Sequence, residues 1–172
     1  MPDHDEVIDH GETVFLEAAA VADMALPPAW RRALRAGVGS ALAILLLQLA
    51  GRELEHPLLL APFGASCVLL FVAPQSEFAQ PRNVLLGYVI ATVVGFVALW
   101  LFAGQWWAPA VAVGATIVVM CLTHTVHPPA GAHPLVIVMG APPLTALLTT
   151  LGAGLALLLL WAWAFHRLSR RA

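Results

Sequence analysis

The sequence predicts an all-α membrane protein, a helical bundle of two long-short-long helix repeats, and three observations carry that prediction. Of its 172 residues, 60% are hydrophobic and 10% are Asp, Glu, Lys or Arg, where a soluble domain carries about 25% charged residues. The 84 residues between Arg82 and Arg167 include none of the four charged types. A soluble chain of this size exposes too much surface to stay uncharged for so long, whereas a charge at the bilayer centre costs about 2.5 kcal/mol or more. Finally, two short apolar segments, each opened by Pro and Gly, occupy matching places between longer apolar runs.

The elements follow in order. Residues 1–29 form an acidic segment, with seven of the ten acids in the first 23 residues. It lacks the basic n-region of a secretory signal. A short helix is predicted over 14–24, ended by Pro27-Pro28, in what reads as a solvated terminus. The transmembrane domain is expected over 30–166, and 167–172 form a basic tail. The first span, 34–50, runs into a polar turn that ends at His56-Pro57. A short apolar run then ends at Pro74, and a loop reaches Arg82. The next span, 83–103, has the roughly 20 residues that cross a bilayer core of about 30 Å; Asn83 is its expected N-cap. Trp106-Trp107 mark a membrane–water interface. A span over 109–123 leads to a Pro- and His-rich stretch, the short run 135–140, and a turn at Pro142-Pro143. The last span, 144–165, closes on Trp161, Trp163 and Arg167, residue types that anchor a helix at the interface. Cys67 and Cys121 each sit alone in an apolar run and are expected to be small core residues.

The two halves, about 34–103 and 108–165, read as a repeat. Pro62-Phe-Gly-Ala65 opens one short segment and Pro129-Ala-Gly-Ala132 the other, and His-Pro precedes each. Proline suits the first turn of a helix, where its missing N–H is not needed, so the short segments are expected to be half-helices. Arg31, Arg32 and Arg35 precede the first span and Arg167, Arg170 and Arg171 follow the last. Both termini are therefore expected in the cytoplasm. If each extended stretch crosses together with its half-helix, the chain makes six crossings and a 3+3 inverted repeat of the transporter kind. Re-entrant short segments would instead give four crossings.

Interrupted backbone at membrane depth is tolerated only where protein buries it or water lines it. A half-helix N-terminus offers unpaired N–H groups and the positive end of a dipole, which suits an anion. The expected substrate-binding residues are Gly64, Ala65, Ser66, His127, Gly131, Ala132 and His133. His124 and His127, three apart, could share a helix face. No Asp, Glu or Cys accompanies these histidines, so neither a metal nor a cofactor is expected. No hydrolytic or redox constellation appears, so no enzyme activity is expected. No basic face supports a nucleic-acid role.

His127-Pro128-Pro129-Ala-Gly-Ala132 resembles the His-Pro-Pro signature of the HPP family of integral membrane proteins. Phe63-Gly-Ala-Ser-Cys-Val-Leu-Leu-Phe71, followed by Ala79-Gln-Pro-Arg-Asn83, resembles that family's other characteristic block. The resemblance covers roughly 28–165. It implies a multi-pass protein, with plastid and cyanobacterial relatives associated with nitrite transport. The Gly-His usual after the second block reads Gly87-Tyr88 here.

The resulting expectation is a transporter or channel for a small anion, nitrite the named candidate, in a bacterial inner membrane. The alternative is a structural or regulatory membrane subunit that transports nothing. A bundle this thin suits a homo-oligomer.

Overall fold

The computed structural model describes residues 29–169. The acidic segment, the helix expected over 14–24 and the last arginines lie outside them. The described residues form six α-helices and two 3-10 turns, with no strand among them. They are α1 (Ala29–Glu53), α2 (Ala61–Val72), α3 (Pro81–Phe102), α4 (Ala108–Leu122), α5 (His133–Gly140) and α6 (Leu144–Ser169). The 3-10 turns are Glu77–Ala79, ahead of α3, and Pro128–Ala132, ahead of α5. Three helices, α1, α3 and α6, are long and apolar enough to cross a membrane. The lengths are 25, 12 and 22 residues, then 15, 8 and 26, so α4, expected as a span over 109–123, is shorter than the three candidate spans.

Proline and left-handed residues place the helix ends. Each helix from α2 to α5 has Pro at its first or second position, where no intrahelical donor is lost. Helix α2 stops at Ala73, whose successor Pro74 disfavours helical backbone. Two residues beyond the end of α4 His124 takes positive φ, 52°, and Ala141 caps α5 at positive φ, 41°. The Ala141 N–H closes α5 onto Ile137 O at 2.8 Å. Helix α3 is capped at Gln80 rather than at Asn83. Asn83 lies inside the first turn, and its amide donates to Glu77 O at 2.9 Å.

Arg35 onward forms one compact unit, and its contacts fix the relative directions of the helices. Gly87 lies against His127, Thr92 meets His133, and Gly95 lies against Ile137. Position rises on both sides, so α3 and α5 run parallel. His56 meets Thr150, Phe63 lies on Gly154, and His166 reaches Leu70 O, so α2 and α6 also run parallel. Gly39 of α1 meets Phe71 and Phe165, and Gly51 meets the His56–Leu58 backbone, so α1 runs against both. Residues 67 apart repeat one contact. A Cβ on Gly87 would lie 3.4 Å from Thr125 O, and a Cβ on Gly154 would lie 2.6 Å from Leu58 O. The same offset relates Pro62-x-Gly64 to Pro129-x-Gly131. The two His-Pro pairs do not obey it, since they are 71 apart.

The core is small and mixed: Tyr88, Phe63, Leu47, Met120, Ile137 and Leu158 are its largest fully buried apolar or aromatic members. Around it Leu45, Leu49, Val68, Val93, Ile117 and Leu160 are exposed, an outer surface fit for lipid. Cys67 is buried as expected, but Cys121 is exposed, because it faces outward on α4. Helix contact here depends on missing side chains, as membrane packing generally does. We therefore expect Gly154→Ala, which drives a methyl into Leu58 O and the Phe63 ring, to cost about 1–3 kcal/mol. Gly152→Ala, with open space at its Cβ, should leave stability unchanged or raise it by up to about 1 kcal/mol. Thermal unfolding in detergent checks the pair.

Candidate functional site

The two interrupted stretches meet at a buried polar cluster. Ser66 lies in the second turn of α2, Tyr88 in the second turn of α3, and His127 in extended backbone just ahead of the Pro128–Ala132 turn. His133 is the first residue of α5, and Thr92 lies one turn beyond Tyr88. Ser66, Tyr88, His127 and His133 are fully buried and Thr92 nearly so. Gly87 makes room, because a Cβ there would lie 2.9 Å from that of His127.

The hydrogen bonds run in one direction. His127 Nδ1 lies 2.7 Å from Phe78 O. A carbonyl can only accept, so Nδ1 carries the proton and the Nε2 of a neutral ring is an acceptor. Ser66 Oγ, 2.9 Å from that Nε2, donates to it. Its own proton committed, Ser66 Oγ accepts from the Tyr88 hydroxyl at 3.0 Å. The chain is thus Tyr88 to Ser66 to His127 to the Phe78 carbonyl, and it links α3, α2, the second interruption and the 3-10 turn before α3. A second arm departs from Thr92, whose hydroxyl donates to Tyr88 O at 2.7 Å. Thr92 Oγ1 therefore accepts from His133 Nε2 at 3.2 Å, which leaves His133 Nδ1 as a lone-pair acceptor. That atom is buried and has no partner among the described residues. The Tyr88 ring stands between the two imidazoles, its centroid 5.5 Å from His127 and 5.4 Å from His133.

Of the seven residues expected to bind substrate, Ser66, His127 and His133 come together in this cluster. Gly131 is buried behind them, with Ile117 of α4 nearest to its absent Cβ. Gly64, Ala65 and Ala132 are exposed. Ala65 and Ala132 line an apolar groove of about 710 Å3 between α2 and the second interruption. Few backbone donors are free at the junction: Pro62 and Pro134 have no N–H, Phe63 N bonds to Leu60 O, and His133 N to Ala130 O. His124 does not share a helix face with His127. It sits exposed at a left-handed helix end, three residues before the extended backbone that carries His127 inward. No group of three or more His, Cys, Asp or Glu that could hold a metal ion occurs among the described residues.

Tyr88, Thr92 and the Phe78 carbonyl belong to the cluster and were not expected there. Tyr88 carried one signal, as the single tyrosine of the chain, inside an otherwise apolar run. The carbonyl carried none, because any residue type supplies one.

Comparison with known proteins agrees with a membrane protein. A family model described as HPP, transmembrane region, matches residues 25–172. The chain belongs to the HPP family. Two transmembrane proteins of Dictyostelium discoideum are similar to this HPP chain, 43% identical over 93 residues and 38% identical over 92. Those alignments cover 52% and 51% of the chain but only 30% and 32% of the two relatives. No solved structure matches. The HPP chain is accordingly an integral membrane protein of apolar helices.

The cluster predicts the cost of its own disruption. Ser66→Ala strands two buried groups, His127 Nε2 and the Tyr88 hydroxyl, and should cost about 1–3 kcal/mol for each. Tyr88→Phe removes a donor while Ser66 keeps its bond to His127, so about 0.5–1.5 kcal/mol is expected. The double variant should depart from additivity by about 0.5 kcal/mol or more. Additive unfolding energies would mean that the two hydroxyls are not linked.

Proposed function

We propose that this HPP protein carries a small anion across the membrane together with a proton, with nitrite the leading candidate substrate. The observation that carries the reading is His133 Nδ1, a buried acceptor left unpaired beside a hydrogen-bonded Tyr–Ser–His chain. Ionisable side chains in a membrane body are costly and by default functional, and buried polar atoms normally find partners. An unpaired acceptor at the meeting point of two interrupted segments is a place for a solute's O–H or for a proton. The protonated imidazole then offers a cation to the anion, in a body that supplies no other charge between Arg82 and Arg167. The proposed protein is no enzyme, since nothing in the cluster needs a bond of the solute to break.

The topology proposed with it is six crossings in two inverted halves, both termini cytoplasmic, in a bacterial inner membrane. Lengths support the count. The extended residues 57–60 add about 13 Å to the roughly 18 Å of α2. Residues 125–127, the 3-10 turn and α5 together span about 32 Å. Each total suits a core of about 30 Å. The parallel pairs α3 with α5 and α2 with α6, and the contact repeated at an offset of 67, support the inversion. Arg31, Arg32 and Arg35 in the first two turns of α1 and Arg167 near the end of α6 support the orientation.

A second reading, a structural subunit that transports nothing, is favoured by one observation: Ser66, Tyr88 and His127 satisfy one another completely. Flux separates the two. Purified protein in liposomes should accelerate uptake of nitrite, compared with nitrate and chloride, above the protein-free baseline that diffusing nitrous acid sets. An inward proton gradient should increase that uptake. His127→Ala and His133→Ala should return it to baseline while Gly152→Ala keeps it. Flux equal to baseline for all three anions favours the structural subunit.

A further inference from the structure

A second polar feature lies at the Arg167 end of the bundle, apart from the buried cluster. A pocket of about 640 Å3 opens between Arg35 of α1, the loop that joins α2 to α3, and the last turns of α6. Its polar lining is one-sided. Arg35, Arg167 and His166 line it together with Gln75 and Gln80, and no Asp or Glu among the described residues does. Glu77, the acid of the same loop, is exposed and outside the lining. The deeper wall is apolar, with Leu70, Leu159 and Ala162.

Two of these polar groups are held in place. The Arg167 guanidinium stands 4.4 Å from the centroid of the Trp163 ring, a stacked position that costs it little further entropy on binding. His166 Nε2 donates to Leu70 O at 2.8 Å, which fixes that ring against the wall. Guanidinium groups of two helices that share one cavity, with no acid among its described lining residues, repel each other, and an anion between them relieves that repulsion. Guanidinium forks and amide N–H groups are also the donors that suit an oxyanion. The neighbouring Trp and the apolar wall suit the boundary between headgroups and acyl chains.

We propose that this pocket is an oxyanion site at the membrane–water boundary. It takes a phosphate, either from the headgroup of an anionic phospholipid or free in solution. The site does not rest on the transport reading, and a protein that transports nothing would keep it.

Thermal unfolding of the full chain in neutral detergent tests this with phosphatidylglycerol, phosphatidylcholine and inorganic phosphate added separately. Wild type should be stabilised by phosphatidylglycerol or by phosphate, and not by charge-neutral phosphatidylcholine. A response to phosphatidylglycerol alone identifies the lipid as the source, and a response to phosphate identifies the free ion. Arg35→Gln and Arg167→Gln should each raise the concentration needed by about tenfold, and Arg167→Lys should restore part of the loss. Arg82→Gln, a change of the same charge outside the pocket, should leave the response intact. No stabilisation by either anion overturns the proposal. So does a loss with Arg82→Gln equal to that with the pocket variants, because general surface charge then explains the effect.

Discussion

The hydrogen bond from Ser66 Oγ to His127 Nε2 is the interaction on which the rest of the arrangement depends. It joins the first interrupted segment to the second, inside a body where water cannot substitute for a lost partner. Each end is over-determined. Ser66 is held by the Tyr88 hydroxyl, and His127 by the Phe78 carbonyl and by the closeness that Gly87 permits. In lipid, apolar surface gives helices little reason to associate, so close packing at small residues and interhelical hydrogen bonds carry association. This chain uses both within a few ångströms of each other: glycine removes the side chain that would hold α3 off His127, and the polar chain closes the space that remains.

That economy explains how so short a chain can contain two breaks. Each break costs backbone hydrogen bonds, and the sequence limits the loss at the helix starts with proline. Pro62, Pro81, Pro109 and Pro134 each open a helix where an N–H would have no partner. At the second break the 3-10 bonds Ala130 N to His127 O and His133 N to Ala130 O take up part of what remains. Among the described residues His133 Nδ1 is the buried side-chain polar atom left without a partner, and the proposed function places the solute or proton there. The arrangement also separates two surfaces of the interruptions. One carries the polar cluster inward, while Ala65 and Ala132 turn to an apolar groove.

Much of this was legible in the residues. The charge-free run from Arg82 to Arg167 pointed to a membrane, and Pro-x-Gly-Ala at two matching places pointed to two breaks. Ser66, His127 and His133 were chosen because they are polar groups at those breaks, and they are neighbours in space. Less legible was which way each residue of a break faces. Gly64 and Ala65 precede Ser66 directly, yet helical geometry turns them outward and Ser66 inward. His124 was misjudged because the 3.6-residue period was extended past the end of α4, where a left-handed residue stops it. The partners that complete the cluster were hidden for a different reason. Tyr88 lies 39 positions from His127 and Phe78 lies 49 away, and only tertiary packing brings them together. The His-Pro pairs misled as well: they look equivalent, but His56 is half-buried and binds Thr150 of α6, while His127 lies inside the cluster.

The direction of the proton chain is the most exposed point of this account. Nitrogen NMR of the histidine-labelled protein in lipid, with His127 assigned by its absence in a variant, reads the tautomer directly. The geometry predicts a neutral His127 ring that carries its proton on Nδ1, toward the Phe78 carbonyl, with Nε2 accepting from Ser66 and changed by Ser66→Ala. A proton on Nε2 with Nδ1 bare, or a signal indifferent to Ser66, would mean that the two interrupted segments are not joined there.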